Sequence, residues 1–143
     1  MAATILESVT LPATAASVST RRRRAGLIIS GLAVLFLTFD LVMKFLVTPE
    51  AVEASAALGW QMHNVPILGM IEIVCLALYL IPRTAPLGAI LWTGYLGGAI
   101  ATHLRVDNPL FSHTIFPIYV AAFIWGGLYL RDARVRALIA PER

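Results

Sequence analysis

RRRRAGLIISGLAVLFLTFDLVMKFLV, Arg21 to Val47, sets four arginines against a long run that is almost wholly apolar. An α-helix rises about 1.5 Å per residue, so roughly 20 residues cross the hydrocarbon core of a bilayer. The run Ala25 to Val47 is long enough to do so. A basic run before an apolar run also describes a secretory signal, but this one is too long for a signal core and no small-residue cleavage site closes it. The triplet Ala54 to Ala56 comes too late. The stretch therefore predicts an uncleaved transmembrane helix.

The rest of the chain agrees. Of its 143 residues 59% are hydrophobic and 13% charged, about half the charged share of an ordinary soluble domain. Three more apolar runs follow, Val65 to Ile81, Leu87 to Leu104 and Thr114 to Leu130. The shorter ones need flanking residues or local thinning of the bilayer to span it. The expected fold is all-α, a four-transmembrane-helix up-down bundle over residues 25–135, with helices at about 25–47, 65–81, 87–104 and 114–130. Residues 1–24, rich in Ala, Thr, Ser and Val before the arginines, read as a disordered tail, and residues 136–143 as a second tail. The longest loop, Val47 to Asn64, is acidic and amphipathic. It suits a short interfacial helix that starts at Pro49, with Trp60 at the water boundary.

The formal net charge is +3, and the basic residues flank apolar runs, so they read as topology signals and not as a nucleic-acid surface. With four spans, Arg21 to Arg24, Arg83, Arg131, Arg134, Arg136 and Arg143 fall on one side and Arg105 on the other. Positive residues stay cytoplasmic. Both termini are therefore expected inside, in a multi-pass membrane protein. Cys75 is the one cysteine, which excludes an internal disulfide or a Cys-x-x-Cys pair. It reads as packing in an apolar run.

A few polar groups look expensive at membrane depth. Asp40 and Lys44 lie on the first helix, Glu72 on the second, His103 ends the third and His113 opens the fourth. Asp40 and Glu72 each sit roughly 10 Å below the same interface if the helices run up and down. Asp40 and Lys44, four apart, share a face in the favoured acid-before-base order. Charged groups at such depth face the bundle interior and pair. The five groups then form either a pairing device that holds helices in register or a pocket for a small polar or amphipathic ligand or a proton. His63, His103 and His113 with the carboxylates supply metal-ligand types, but no metal-ligand spacing occurs on one helix, and no metal is expected.

The third run contains GYLGGAIATHLR, Gly94 to Arg105. Gly94 and Gly98, with Ala101 one turn on, form a small-residue face that lets another helix approach. On a different stripe Trp92, Leu96, Ala99 and His103 follow steps of three and four. In the fourth run Pro117 removes a bond to the His113 carbonyl and predicts a kinked first turn. Phe116, Tyr119 and Phe123 share a stripe suited to packing or lipid contact.

The segments FDLVMKF, GMIEIVCLALYLIPRTAPLGAILWTGYLGG, GYLGGAIATHLR and NPLFSHTIFPIYVAAFIWGGLYLRD together resemble the DoxX-like family of small bacterial membrane proteins, over about residues 26–135. The resemblance implies a four-helix membrane bundle. It also implies kinship with the membrane subunit of a thiosulfate:quinone oxidoreductase and with membrane proteins of thiol and oxidative-stress chemistry. The matching positions are Lys44, Glu72, His103 and His113.

Three functions remain open on the sequence. One is a quinone-linked subunit, its head group held by His103 or His113 with proton exchange through Glu72. The chain shows no flavin, haem or iron–sulfur signature, so this reading needs a soluble or membrane redox partner and makes the chain no stand-alone enzyme. The second is a non-enzymatic scaffold that docks another helix on Gly94 and Gly98. The third is a small proton-coupled transporter, which with so few helices would work as a homodimer. Membrane lipid is a partner in all three, and nucleic acid in none.

Overall fold

The computed structural model describes residues 18–139. Six α-helices follow in order: α1 Thr20–Leu46, α2 Pro49–Ala57, α3 Val65–Leu80, α4 Ala85–Arg105, α5 Phe116–Arg131 and α6 Ala133–Ile139. No strand occurs among the described residues. The four long helices correspond to the four apolar runs, and α2 is the short loop helix that Pro49 starts. The Thr48 hydroxyl caps α2 by accepting from the Ala51 N–H at 3.3 Å. Two boundaries differ from the sequence reading: α6 carries helix into the expected second tail as far as Ile139, and the first helix starts early. The first helix begins at Thr20, so Arg21 to Arg24 ride on its opening turns and do not belong to a tail. Arginine is a good helix former, and polarity does not stop a helix. Residues 1–17 and 140–143, which hold most of the expected tails and Arg143, lie outside the described residues.

Neighbouring long helices run antiparallel in a closed ring, α1–α3–α4–α5. The core holds Leu37, Leu76, Tyr79, Ala89, Trp92, Val120, Ile124 and Leu128. Leu35, Phe39, Ile67, Met70, Val74, Ile90 and Ile118 point outward. Such an apolar outer surface suits lipid and not water. Three stretches are long and apolar enough to cross a membrane, Thr20–Leu46, Met62–Leu80 and Leu110–Arg131. The last two include the short turns that precede α3 and α5. Helix α4 has the length, at 21 residues, but is not among them.

The closest backbone approaches join α4 to α3 and α1 to α5. A Cβ on Gly88 would come within 2.4 Å of the Tyr79 N–H nitrogen. A Cβ on Gly26 would come within 2.8 Å of the Gly127 carbonyl oxygen, and one on Gly127 within 2.8 Å of the Ser30 N–H nitrogen. Above this contact the buried Tyr79 hydroxyl donates to the Ile124 carbonyl at 2.9 Å and lies 3.0 Å from the Ser30 hydroxyl. One side chain thus ties α3 to α1 and α5. A single wide turn, Leu110–Thr114, precedes α5, and the chain breaks at Ile115 before Phe116. This is the disruption that Pro117 predicts. At the opposite end Arg134 donates to Asp132 at 2.7 Å and to the Pro82 carbonyl at 2.6 Å. Arg134's hydrogen bonds hold the Asp132 carboxyl below the usual carboxylate range.

Candidate functional site

The polar residues of α1 and α3 meet where α1 ends and α3 begins. Lys44 pairs with Asp40 one turn back on its own helix. Its Nζ also lies 2.8 Å from Glu72 Oε1 on α3. One ammonium therefore serves two carboxylates. Their surroundings differ: the Asp40 side chain is 44% exposed and that of Glu72 only 1%. Neither Glu72 oxygen has a hydrogen bond of ordinary geometry, although the Tyr95 hydroxyl of α4 also faces this carboxylate. A buried carboxylate so sparsely satisfied is costly to keep.

Beside this cluster opens a cavity of about 420 Å³. Asp40 and Lys44 line it from α1, and Trp92, Leu96, Ala99 and His103 line it from α4. The stripe at steps of three and four is thus one wall of the cavity. Phe36, Phe116 and Val120 supply apolar surface opposite, and Ser55, Leu58 and Trp60 close over it from the α2 segment. Trp92 is 1% exposed, and its indole N–H finds no acceptor among the described residues. The indole N–H of Trp125, by contrast, donates to the Thr93 hydroxyl at 2.9 Å.

Of the five residues singled out by sequence, Asp40, Lys44 and His103 share the cavity wall. Glu72 sits behind it against Lys44. His113 does not line it; it is exposed and bonded to Ser112, with its ring centroid 6.0 Å from that of His103. His103 is held through Nδ1 by the Asn108 side-chain amide at 2.8 Å. No group of three His, Cys, Asp or Glu comes together among the described residues in a way that could hold a metal. The small-residue face behaves differently from the expectation. A Cβ on Gly94 or Gly98 would meet nothing within 4 Å, so no helix among the described residues approaches them closely. They line the cavity instead, and Ala101 is exposed. The close approach that small residues allow occurs at Gly88 against Tyr79 and at Gly26, Ser30 and Gly127.

Tyr95, Thr102, Phe36 and Trp60 also belong to the site and were not singled out. Tyr95 and Thr102 neighbour the Trp92–His103 stripe at helical spacing, a signal the sequence did carry. Phe36 lies four residues before Asp40, on the same face of α1.

The model of the DoxX-like family matches residues 28–127 of the chain. The chain belongs to the DoxX-like family. That span takes in Asp40, Lys44, Glu72, His103 and His113 and runs from α1 almost to the end of α5. With its outward apolar helices this makes it a membrane protein of the DoxX type. No curated protein and no solved structure matched the chain.

Proposed function

We propose that this DoxX-like protein is the membrane subunit of a quinone-linked redox complex and that its cavity holds the quinone head. The observation that carries the reading is one cavity with an apolar, aromatic body and a polar mouth. Phe36, Trp92, Leu96 and Phe116 offer ring-sized apolar surface, and Lys44 and His103 offer polar atoms on the same wall. Ligand pockets combine these two kinds of surface. The unsatisfied Trp92 N–H fits the same ligand, because an indole only donates and a quinone carbonyl only accepts. Charge within the wall is already balanced between Asp40 and Lys44, which favours a neutral guest.

A quinone, when bound, supplies the electron-accepting chemistry, and a partner subunit supplies the electrons. This chain's own residues bind, orient and carry protons. Glu72 is the proton-holding group, connected to the cavity through Lys44 and Tyr95. All four long helices span in this reading. Helix α4 crosses on the strength of its packing with α3 and α5, both termini face the cytoplasm, and the cavity opens outward in the bacterial plasma membrane. Reporter fusions to each terminus and at Asp107 test that orientation.

The decisive experiment is purification from native membranes in mild detergent, with mass spectrometry of extracted lipophiles and co-purifying proteins. A stoichiometric quinone with a redox partner is expected. In the assembled complex Glu72→Gln should lose quinone-dependent turnover while keeping the quinone. Recovery of the complex with no quinone, or unchanged turnover in Glu72→Gln, would sink the reading.

A further inference from the structure

The segment between α1 and α3 is built unlike the rest of the molecule. Helix α2 has no buried residue and packs mainly on the short turn Met62–Asn64. The backbone hydrogen bonds of this segment are internal: Val52 to Thr48, Leu58 to Ala54, Gly59 to Ala56 and Trp60 to Ser55. It is therefore a self-contained body. Left-handed backbone bounds it on both sides, at Val47 with φ 48° and at Gly59 with φ 75°. A β-branched residue resists that region, whereas glycine enters it freely.

Among the described residues one hydrogen bond ties this body to a long helix. Arg105, the last residue of α4, donates from its guanidinium to the Leu58 carbonyl at 2.7 Å. The guanidinium also lies against Gly59, where a Cβ would come within 3.1 Å of it. The same segment covers the cavity with Ser55, Leu58 and Trp60. Few buried contacts and an exposed latch mark a unit that opens at low free energy.

We infer that residues 48–60 form a lid over the cavity and that Arg105 is its latch. The lid swings on Val47 once its latched end at Leu58 and Gly59 is released, and its opening admits a molecule from the membrane surface. Arg105 acts by position: it holds a carbonyl, and no reacting group is assigned to it. The inference does not depend on what fills the cavity.

The test measures access directly, without a ligand. A cysteine placed by Ala99→Cys lies on the cavity wall at a half-buried position. Native Cys75, 3% exposed, serves as the unreactive internal reference. Labelling by a water-soluble methanethiosulfonate should run about tenfold faster when Arg105→Ala is added, because loss of one charge-assisted hydrogen bond shifts the opening equilibrium by at least that factor. Arg105→Lys, which keeps a donor and the charge, should recover part of the protection. A lipid-facing cysteine from Ile90→Cys should label at the same rate with and without the latch. Hydrogen exchange of the otherwise unaltered protein adds an arm that no folding defect can confound. Amides of Ala51 to Trp60 should exchange together and well ahead of those of α4. Equal Ala99→Cys labelling with and without Arg105, or lid amides that exchange only with the core helices, would overturn the lid.

Discussion

Lys44→Met should be among the most damaging single substitutions near the cavity. Lys44 Nζ lies 2.8 Å from Glu72 Oε1, and the Glu72 side chain is 1% exposed. At an effective permittivity near 20 the attraction over that distance is about 6 kcal/mol. Desolvation of both groups offsets much of it. Removing one partner leaves the other as an uncompensated buried charge, which costs about 3–5 kcal/mol. The Asp40 partnership adds little, roughly 1 kcal/mol or less, because that carboxylate is half open to its surroundings. The prediction is therefore asymmetric. Lys44→Met loses about 3 kcal/mol or more. Glu72→Gln loses much less, since Lys44 keeps Asp40. The double variant Lys44→Met, Glu72→Gln regains most of the loss, because no unpaired buried charge remains. Reversible unfolding in mixed detergent and dodecyl sulfate, followed by tryptophan fluorescence, reads all four proteins. If Lys44→Met unfolds within about 1 kcal/mol of the parent, or if the double variant is no more stable than Lys44→Met, the argument from a buried pair is wrong.

Gly127→Ala should destabilise by about 1–3 kcal/mol in the same assay, because the new methyl meets the Ser30 backbone and cannot be accommodated without separating α1 from α5. Gly94→Ala, with open space around it, should stay within about 0.5 kcal/mol of the parent. Tyr79→Phe should cost about 1–2 kcal/mol, the worth of a buried hydroxyl that serves two partners. The Asp132 carboxyl, lowered below its ordinary value by Arg134, contributes stability that is fully present above the ordinary aspartate value. That contribution is lost as pH falls through the lower folded value. A pH series should therefore show the advantage of the parent over Asp132→Asn shrinking only on the acid side, and an advantage independent of pH would exclude the linkage.

What the sequence disclosed was local. The Asp40–Lys44 pair and the Trp92–Leu96–Ala99–His103 stripe follow from positions on one helix, and a helix fixes its own periodicity. The Lys44–Glu72 contact was not legible, since equal depth on two helices says nothing about rotation. Packing decided it. The glycines show the limit most sharply. Gly94 and Gly98 have the spacing that suits helix docking, yet they face the cavity. Gly26, Gly88 and Gly127 carry the close contacts, and the small-residue pair that does pack, Gly26 with Ser30 four residues on, was not singled out. A small residue creates space, and the helix across from it decides whether that space is filled. The lid was half legible: Pro49 marked where α2 begins, but the Arg105–Leu58 latch joins residues too far apart in the chain for any spacing rule.

Helix α4 brings these points together. It has the length of a span yet falls short of the hydropathy of α1, α3 and α5. The deficit comes from Thr93, Gly94, Gly97, Gly98, Thr102 and His103, and Gly94, Gly98, Thr102 and His103 line the cavity along with Trp92, Tyr95, Leu96 and Ala99. A helix that faced only lipid and core would gain from replacing these residues with leucine, since each exposes backbone or polar atoms to an apolar medium. Here they shape a space instead. The polar hydroxyls are satisfied within the helix, Thr93 donating to the Ala89 carbonyl and Thr102 to the Gly98 carbonyl, both at 2.9 Å. The low hydropathy of α4 is thus the mark of a wall between cavity and membrane. Gly98→Leu puts the idea to work. A Cβ there meets nothing within 4 Å, so stability should hold within about 0.5 kcal/mol, while the cavity loses volume and binding of a decyl-tailed quinone should fall by about tenfold or more, at 1.4 kcal/mol per decade. Binding that survives the filled cavity would place the ligand elsewhere and remove the reason for α4's composition.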